Sequence, residues 1–352
     1  MRGRGDRLER LLAERELERM LVTDLTNVRY LTGFTGSNGA CVCGPGTRLF
    51  FTDFRYTERA ATEVSDWETI TLRDDWVGGI AAHLSGRVGF EDDKMPVRNL
   101  GKLEEKLAGG VEPVAAGGTV ERLRQVKDEE EQAAIAAASA LADEVWGWSL
   151  ERGLGGRSER DVARAAEARV RELGAEPSFP AIVAAGPNGA LPHAEPGERQ
   201  IGRGELVVFD MGAKVDGYCS DGTRTYAVGE PGEAAREVYE VVLRAQVAAL
   251  EQIAAGASGE ALDAVARRVI DEAGYGERFG HALGHGVGLE VHEGPRLAQR
   301  SEDVLEPGEV VTVEPGIYLP GELGVRTEDL VVVGSEGLLN LSGLPKELQL
   351  VE

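Results

Sequence analysis

The stretch VVFDMGAKVDGYCSDGTRTYAV, residues 207–228, decides the fold of this chain. Two runs rich in Val, Thr and Tyr flank a turn signal at residues 214–217, a pattern typical of a β-hairpin. Asp210 and Asp221 are equidistant from the centre of this turn, so we expect them to face each other on one side of the hairpin. Because two opposed carboxylates repel, the pattern predicts either a cation between them or a proton on one of them.

A second stretch near the C-terminus has the same layout. Residues 310–333 read VVTVEPGIYLPGELGVRTEDLVVV, with a turn signal at Pro-Gly-Glu. Glu314 and Glu328 are equidistant from Gly321, so a second hairpin is predicted to present a second opposed pair of acids. The two pairs together predict one cluster of four carboxylates, which is hard to stabilise without bound cations.

The sequence FGHALGHGVGLEVHEGP, residues 279–295, adds three histidines within twelve residues. Glycines permit close backbone approach, and Gly284 and Gly286 flank His285. We therefore interpret His285 as a metal-binding imidazole. The other histidines of this half of the chain are interpreted as substrate-binding or proton-handling groups: His193, His281 and His292.

Four carboxylates and one imidazole form a site with mostly oxygen ligands. Such a site favours Mn, Co, Fe or Zn over a thiolate-bound zinc ion, and its negative charge suggests two ions rather than one. Two neighbouring ions can lower the pKa of a shared water and hold the resulting hydroxide for attack on a carbonyl. The predicted reaction class is metal-assisted hydrolysis of an amide or a related bond.

Composition excludes several classes of function. The net charge of −23, from 61 acidic and 38 basic residues, argues against binding to nucleic acid or to an anionic membrane. No run of 18 apolar residues is present, and the start MRGRGDRLERLL lacks the apolar core of a signal peptide. The three cysteines lack the spacing of metal ligands, and a disulfide framework is not favoured. A reducing cytoplasm is therefore expected.

Two domains are predicted from the pattern along the 352 residues. Strands and helices alternate through residues 1–122, which indicates an α/β domain; residues 22–30 are among its predicted strands. A long Ala-rich helix is then expected from residue 123 to about residue 150. It opens the second domain, residues 123–352.

A weak internal repeat runs through the second domain with an offset of one hundred residues. Ser158 and Ser258 are both positioned as helix N-caps, and Phe179 matches Phe279. Each half then ends in one of the two acid-bearing hairpins. The pattern predicts two α-α-β-β halves around a pseudo-twofold axis, with the site on that axis.

These motifs resemble the creatinase/methionine aminopeptidase superfamily, the pita-bread metallopeptidases, and most of all its prolidase and aminopeptidase P branch. The specific segments are FDMGAKVDGYCSDGTRT, HALGHGVGLEVHEGP, TVEPGIY and GVRTEDLVVV. NVRYLTGFTGSNGA and FTDFRYTERA resemble the N-terminal domain of that branch. The resemblance implies a mixed α/β (α+β) architecture, with an N-terminal creatinase-type domain and a C-terminal pita-bread domain.

The resemblance also implies a role for each site residue. Asp210 would be the bidentate ligand of one ion, and Asp221 and Glu328 would bridge both ions. His285 and Glu314 would be the ligands of the second ion, and Glu314 would also act as general base or proton shuttle. Four side chains would serve the substrate, with His281 lining the proline pocket: His193, His281, His292 and Arg326.

The implied activity is hydrolysis of the bond between an N-terminal residue and proline, by a homodimer that uses two divalent ions, with Mn first and Co, Zn or Fe as alternatives. Dipeptidase and aminopeptidase activity are both open. Two other functions compete with this one. The first is a metal-dependent hydrolase or lyase of a small non-peptide metabolite on the same fold, and the second is a non-catalytic binding module.

Overall fold

The computed structural model describes residues 3–352, which form two compact units. One unit ends at Arg124, and the other spans Gln125–Glu352. The sequence places the domain boundary two residues earlier, between residues 122 and 123, and that placement stays a prediction. Residues 1 and 2 of the predicted first domain lie outside the described residues.

The first unit is built on a mixed six-stranded sheet in the order β4-β3-β2-β1-β5-β6. Its strands are β1 (Arg19–Val22), β2 (Gly39–Gly44), β3 (Thr47–Asp53), β4 (Glu68–Leu72), β5 (Arg87–Phe90) and β6 (Glu112–Ala115). Its helices are α1 (Arg4–Glu14), α2 (Leu25–Thr32), α3 (Thr57–Glu63), α4 (Trp76–Ala81), α5 (Val97–Glu104) and α6 (Thr119–Gln125). Strand β1 runs parallel to β5 and antiparallel to β2.

Two sequence-based expectations about this region are wrong. Of the predicted strand 22–30, only Val22 is a strand residue, at the end of β1, and residues 25–30 lie in helix α2. The Asp24 side chain accepts hydrogen bonds from the backbone of Thr26 and Asn27 and caps this helix. The helix expected from residue 123 is interrupted. Helix α6 ends at Gln125, and the next helix begins after Asp128, whose side chain forms a capping box with Glu131.

The second unit contains four helices: α7 (Glu129–Leu150), α8 (Glu159–Glu172), α9 (Glu233–Leu250) and α10 (Gly259–Glu272). Its first-half strands are β7 (Glu176–Pro177), β8 (Ile182–Ala185), β9 (Leu206–Asp210), β10 (Ala213–Val215), β11 (Tyr218–Cys219) and β12 (Thr223–Val228). Those of the second half are β13 (Gly284–Gly286), β14 (Glu293–Leu297), β15 (Val310–Val313), β16 (Gly316–Leu319), β17 (Leu323–Arg326), β18 (Asp329–Val333), β19 (Leu338–Asn340) and β20 (Leu350–Val351).

The two halves of this unit repeat each other, as the sequence predicts. Helices α8 and α10 begin one hundred residues apart and have the same length of 14 residues. Ser158 and Ser258 cap them, each accepting a hydrogen bond from the third residue of its helix. A backbone hydrogen bond repeats as well. The amide of Gly156 donates to the Ile201 carbonyl, and the amide of Gly256 donates to the Leu305 carbonyl, each over 2.8 Å.

Helices α8 and α10 each pack against strands of their own half. In the first half, Ala166 and Val170 of α8 pack with Phe209 of β9. In the second half, Ala266 and Ile270 of α10 share a cluster with the apolar residues of β15 and β18. Strand β9 ends at Asp210, and β15 ends immediately before Glu314, and both residues are among the acids considered next. Within residues 3–352, none of the helices combines the length and apolar composition that crossing a bilayer requires.

Candidate metal centre

The first hairpin holds Asp210 and Asp221 on one face, although its register differs from the prediction. Asp216 and Gly217 form a two-residue turn with positive φ at both residues, 48° and 84°. Asp210 therefore pairs with Thr223 rather than with Asp221. The expectation that the two aspartates are directly opposed is wrong by two residues, a shift that preserves the face on which each side chain lies.

The glycine across the hairpin from Asp221 is required by close backbone contact. Extending the observed pairing places Gly212 opposite Asp221. A Cβ atom at Gly212 would lie 1.9 Å from the carbonyl oxygen of Ser220. The two strands can approach at this point only because residue 212 has no side chain.

The second hairpin has the register that the sequence predicts. Val313 pairs with Asp329, and Gly316 pairs with Arg326. Glu314 and Glu328 lie between these pairs and are directly opposed. Two hairpins therefore deliver four acids to one place, and the acid oxygens of Asp210, Asp221 and Glu328 lie within 4.8 Å of one another.

His285 completes the cluster from strand β13. A Cβ at Gly284 would lie 2.0 Å from the Thr312 carbonyl, and one at Gly286 would lie 2.0 Å from the Gly294 carbonyl, so both flanking positions require glycine. The His285 Nδ1 lies 3.0 Å from the Gly286 carbonyl, which can only accept, so Nδ1 carries the proton. Nε2, the ring nitrogen left for a cation, faces Glu314 at 3.3 Å and Asp221 at 3.5 Å. Without a cation these carboxylates favour a proton on Nε2 as well.

Asp210 and Glu328 each have one carboxylate oxygen that accepts from a protein donor and one that does not, and this pattern fits bound cations. Arg326 binds Oδ2 of Asp210, and the Thr223 hydroxyl donates to Oε2 of Glu328 over 2.7 Å. The second oxygen of each, Oδ1 of Asp210 and Oε1 of Glu328, is buried without a hydrogen-bond partner. Buried polar atoms rarely stay unpartnered, and carboxylate oxygens aimed at a common point are ligands for hard cations.

Burial and mutual repulsion act on the acids in the absence of a cation. Burial raises the pKa of Asp210 to about 6, against the opposing effect of Arg326. Burial, followed by repulsion from Glu328, raises the pKa of Asp221 well above its ordinary value. The pKa of Glu328 is likewise well above its ordinary value, through burial and repulsion from Glu314. A divalent cation would relieve this repulsion.

The remaining predicted site residues surround a cavity of about 600 Å³ that opens onto the cluster. Its lining includes all four histidines of the second unit, with Glu314 and Arg326. The ring centres of His292 and His285 are 4.2 Å apart. A second cavity, of about 370 Å³, shares His193, His285 and His292 and is also lined by the acids of both hairpins. The structure thus brings every predicted site residue to one place.

Tyr318 is a site residue that the sequence reasoning missed. Its hydroxyl lies 2.8 Å from Nε2 of His281 and accepts a hydrogen bond from Arg326 over 3.2 Å. Nδ1 of His281 donates to the Ala282 carbonyl, so the tyrosine hydroxyl donates to Nε2. Burial lowers the pKa of His281, which keeps this imidazole neutral. Strand alternation could have identified Tyr318, because Gly316, two residues away, pairs with Arg326.

A buried acid cluster with one imidazole, placed where two repeated halves meet and open to a cavity, defines a metal-dependent hydrolase. Comparison with known proteins makes the class specific. Residues 129–335 match metallopeptidase family M24, and residues 4–126 match the creatinase/prolidase N-terminal domain. The chain belongs to metallopeptidase family M24.

Similar proteins cover the whole chain. A Xaa-Pro dipeptidase of Pyrococcus furiosus is 36% identical over 360 residues, which cover 99% of this chain and 100% of the relative. The structure of a Xaa-Pro dipeptidase from Bacillus anthracis superposes with a TM-score of 0.96 at 39% identity, covering 99% of each chain. An X-Pro aminopeptidase from Thermotoga maritima superposes with a TM-score of 0.90 at 35% identity, covering 98% of this chain and 100% of the other.

The raised acid pKa values predict how the stability of the metal-free protein depends on pH. The folded protein retains protons on Asp210 and Asp221 that the unfolded chain releases above pH about 4. Their contribution to stability is therefore fully present below that pH and declines as the pH rises, for Asp210 through about 6. Because a bound cation competes with these protons, we expect Mn to raise the melting temperature more at pH 7 than at pH 5.

Asp221→Asn isolates this effect from the other titrating groups of the chain. The variant cannot gain a buried charge at this position, so its melting temperature without metal should rise relative to the metal-free parent as the pH increases from 5 to 7. Thermal unfolding of both proteins in a chelator measures the difference. A difference that stays constant or reverses across this range would contradict the assignment of the destabilising charge to the cluster.

Proposed function

We propose that this chain hydrolyses the peptide bond between an N-terminal residue and proline. The observation that carries the proposal is the convergence of five ligand-type side chains on one point, with carboxylate oxygens of Asp210 and Glu328 left without protein partners. The names of the similar proteins, Xaa-Pro dipeptidase and X-Pro aminopeptidase, support proline as the second residue of the substrate.

The distribution of the ligands supports two ions. One group of possible ligands is Asp210, Asp221 and Glu328, and another is His285, Glu314 and Glu328. Glu328 belongs to both groups, which fits a bridging role, and Asp221 reaches both Glu328 and His285. We assign Asp210 to one ion, His285 and Glu314 to the other, and Asp221 and Glu328 to both. When bound, the ions supply an activated water and polarise the scissile carbonyl.

The chain's own side chains then bind the substrate and handle its protons. Glu314 lines the cavity and is assigned as the group that accepts the proton from water and passes it to the leaving nitrogen. His193 and His292 line both cavities and are assigned to hydrogen bonds with the substrate and with the tetrahedral intermediate. Arg326 fixes Asp210 and lines the same space.

Proline recognition is assigned to the wall formed by His281. Its ring lies 5.1 Å from the ring of Phe279, edge to face, and its Nε2 is occupied by Tyr318. The wall therefore offers a flat, largely apolar surface with no free donor. That surface suits a pyrrolidine ring, whose tertiary amide has no N–H to satisfy.

We further propose Mn as the metal, with Co, Zn and Fe as alternatives, because the ligands are mostly oxygen. A homodimer in the cytoplasm is proposed with it, and the three cysteines, which are free and buried, are consistent with a reducing compartment. Metal analysis after Mn loading and dialysis should find two ions per chain. Sedimentation should give twice the chain mass of 37.6 kDa.

The substrate prediction is tested with matched peptides. With Mn or Co bound, we expect cleavage of Xaa-Pro or Xaa-Pro-Xaa peptides, and replacing proline by alanine should lower kcat/KM by on the order of 10²-fold, since the wall at His281 loses its contacts with the ring. Comparing the two peptide lengths decides between dipeptidase and aminopeptidase activity. Inactivity on both lengths with every metal would refute the proposed function.

A further inference from the structure

Glu159 is a fully buried carboxylate outside the metal centre, at the first position of helix α8. Its exposed fraction is 0%. Oε1 accepts hydrogen bonds from the amide of Ala185 at 2.8 Å and from the side chain of Asn188 at 3.0 Å. Oε2 accepts from Asn188 at 3.0 Å and from the amide of Gly197 at 3.2 Å. One carboxylate therefore binds three separate positions of the chain.

Those positions bracket the loop that carries His193. Asn188 lies five residues before His193, and Gly197 lies four residues after it. The same loop is held from the opposite side, because Arg326 donates to the carbonyl of Pro192 over 3.1 Å. His193 is itself exposed and lines both cavities. The loop is therefore held at Arg326 beside the metal centre and at Glu159, in addition to the hydrogen bonds that Arg160 donates to the carbonyls of Pro196 and Gly197.

The repeat shows that the two halves of the second unit differ at the position of Glu159. The corresponding position of helix α10 is Gly259, and the backbone contact is conserved between the halves: Glu159 donates to the Arg199 carbonyl over 3.1 Å, and Gly259 donates to the Asp303 carbonyl over 2.9 Å. A Cβ at Gly259 would lie 2.3 Å from the Arg296 carbonyl. At this position the second half therefore closes by direct backbone contact, whereas the half that carries His193 places the Glu159 carboxylate there.

A buried charge is expensive unless its oxygens are saturated with donors. Four hydrogen bonds and the N-terminus of α8 provide that saturation for Glu159. We propose that Glu159 is a positioning residue that holds the His193 loop in its substrate-binding arrangement. This inference rests on the proposed function for the role of His193, whereas the anchoring of the loop stands on geometry alone.

The test is a double-mutant cycle between Glu159→Gln and His193→Ala in the Mn-loaded full-length enzyme. In the variant, the NH2 group of the glutamine would face the side-chain NH2 of Asn188 and the amide of Gly197, which both donate to Oε2 in the parent. In the parent background we expect Glu159→Gln to lower kcat/KM by on the order of 10-fold. In the His193→Ala background we expect less than about a twofold further loss, because the loop has no imidazole left to position. Metal content should equal that of the parent.

Amide exchange of residues 188–197 gives a readout that does not depend on activity. Exchange in this segment should accelerate in Glu159→Gln and match the parent in Asp161→Asn, an exposed control that removes the same charge from the same helical turn. If Glu159→Gln does not fold, Asn188→Ala removes the anchor from the loop side, and the same results are expected. Unchanged exchange, or an equal activity loss in both backgrounds, would overturn the inference. A parent enzyme inactive on every Xaa-Pro peptide refutes the proposed function instead, and exchange alone then decides whether Glu159 anchors the loop.

Discussion

Replacing Asp221 by alanine is expected to lower kcat/KM by at least about 10³-fold, because the variant loses a ligand assigned to both ions and with it the activation of water. The metal content should fall below two ions per chain. The fold should survive, since Asp221 is buried beside Glu328 and its removal relieves repulsion in the metal-free state. Kinetics, metal analysis and thermal unfolding of the parent and the variant measure all three effects.

A matched control lies in the same hairpin. Asp216 is exposed at the turn, and Asp216→Asn tolerates its left-handed conformation while removing the same charge. Asp221→Asn should lose activity and metal, whereas Asp216→Asn should retain both within about twofold. Full metal content with more than a tenth of the parent's turnover in Asp221→Ala would remove Asp221 from the ligand set.

Arg326→Met is expected to damage both stability and activity. Arg326 is 4% exposed, and its guanidinium binds Asp210, the Thr223 hydroxyl and the Pro192 carbonyl. Removing one partner of a buried ion pair leaves unsatisfied polar groups, so the free energy of unfolding at pH 7 should fall by about 3–5 kcal/mol. Activity should fall by on the order of 10²-fold, since Asp210 and the His193 loop both lose their support.

Denaturant titration of the metal-free proteins measures the stability change. The loss should be smaller at pH 5, where Asp210, with a pKa of about 6, carries less charge to leave unpaired. Arg236→Met is the external control, because its ion pair with Glu230 is solvent-exposed and such pairs contribute about 0–1 kcal/mol. If Arg326→Met unfolds within 1 kcal/mol of the parent, the buried pair with Asp210 does not stabilise the centre.

Sequence reasoning recovered the candidate centre because strand alternation and opposed acids survive small errors of register. Glu314 and Glu328 were placed correctly, since the turn around Gly321 is symmetric about that residue. The first hairpin differs from the predicted register by two residues, because its turn is centred between Asp216 and Gly217, one residue beyond the centre of the predicted turn at residues 214–217. A shift of two leaves both aspartates on the predicted face, so the cluster was still found.

Other features depend on contacts between distant parts of the chain. The hydrogen bond from Thr223 to Glu328 joins two hairpins that are 105 residues apart in the chain, so the sequence alone does not predict it. Glu159 gave no usable signal, because one glutamate at the start of a helix is ordinary in sequence, and its three loop contacts are 26 to 38 residues away. The helix at Leu25–Thr32 was missed because the Asp24 cap outweighed the local preference of the flanking residues.

The repeated halves of the second unit each contribute only part of the ligand set, so the centre comes into existence when the halves join. Cations that bind as proposed therefore stabilise the state in which the two halves are packed together, by mass action, and this stabilisation is absent when only one half is folded. The complete set of candidate ligands is therefore available only in the folded second unit. Scarcity of the cation during synthesis would consequently reduce the amount of enzyme that escapes degradation, in addition to reducing the turnover of each molecule.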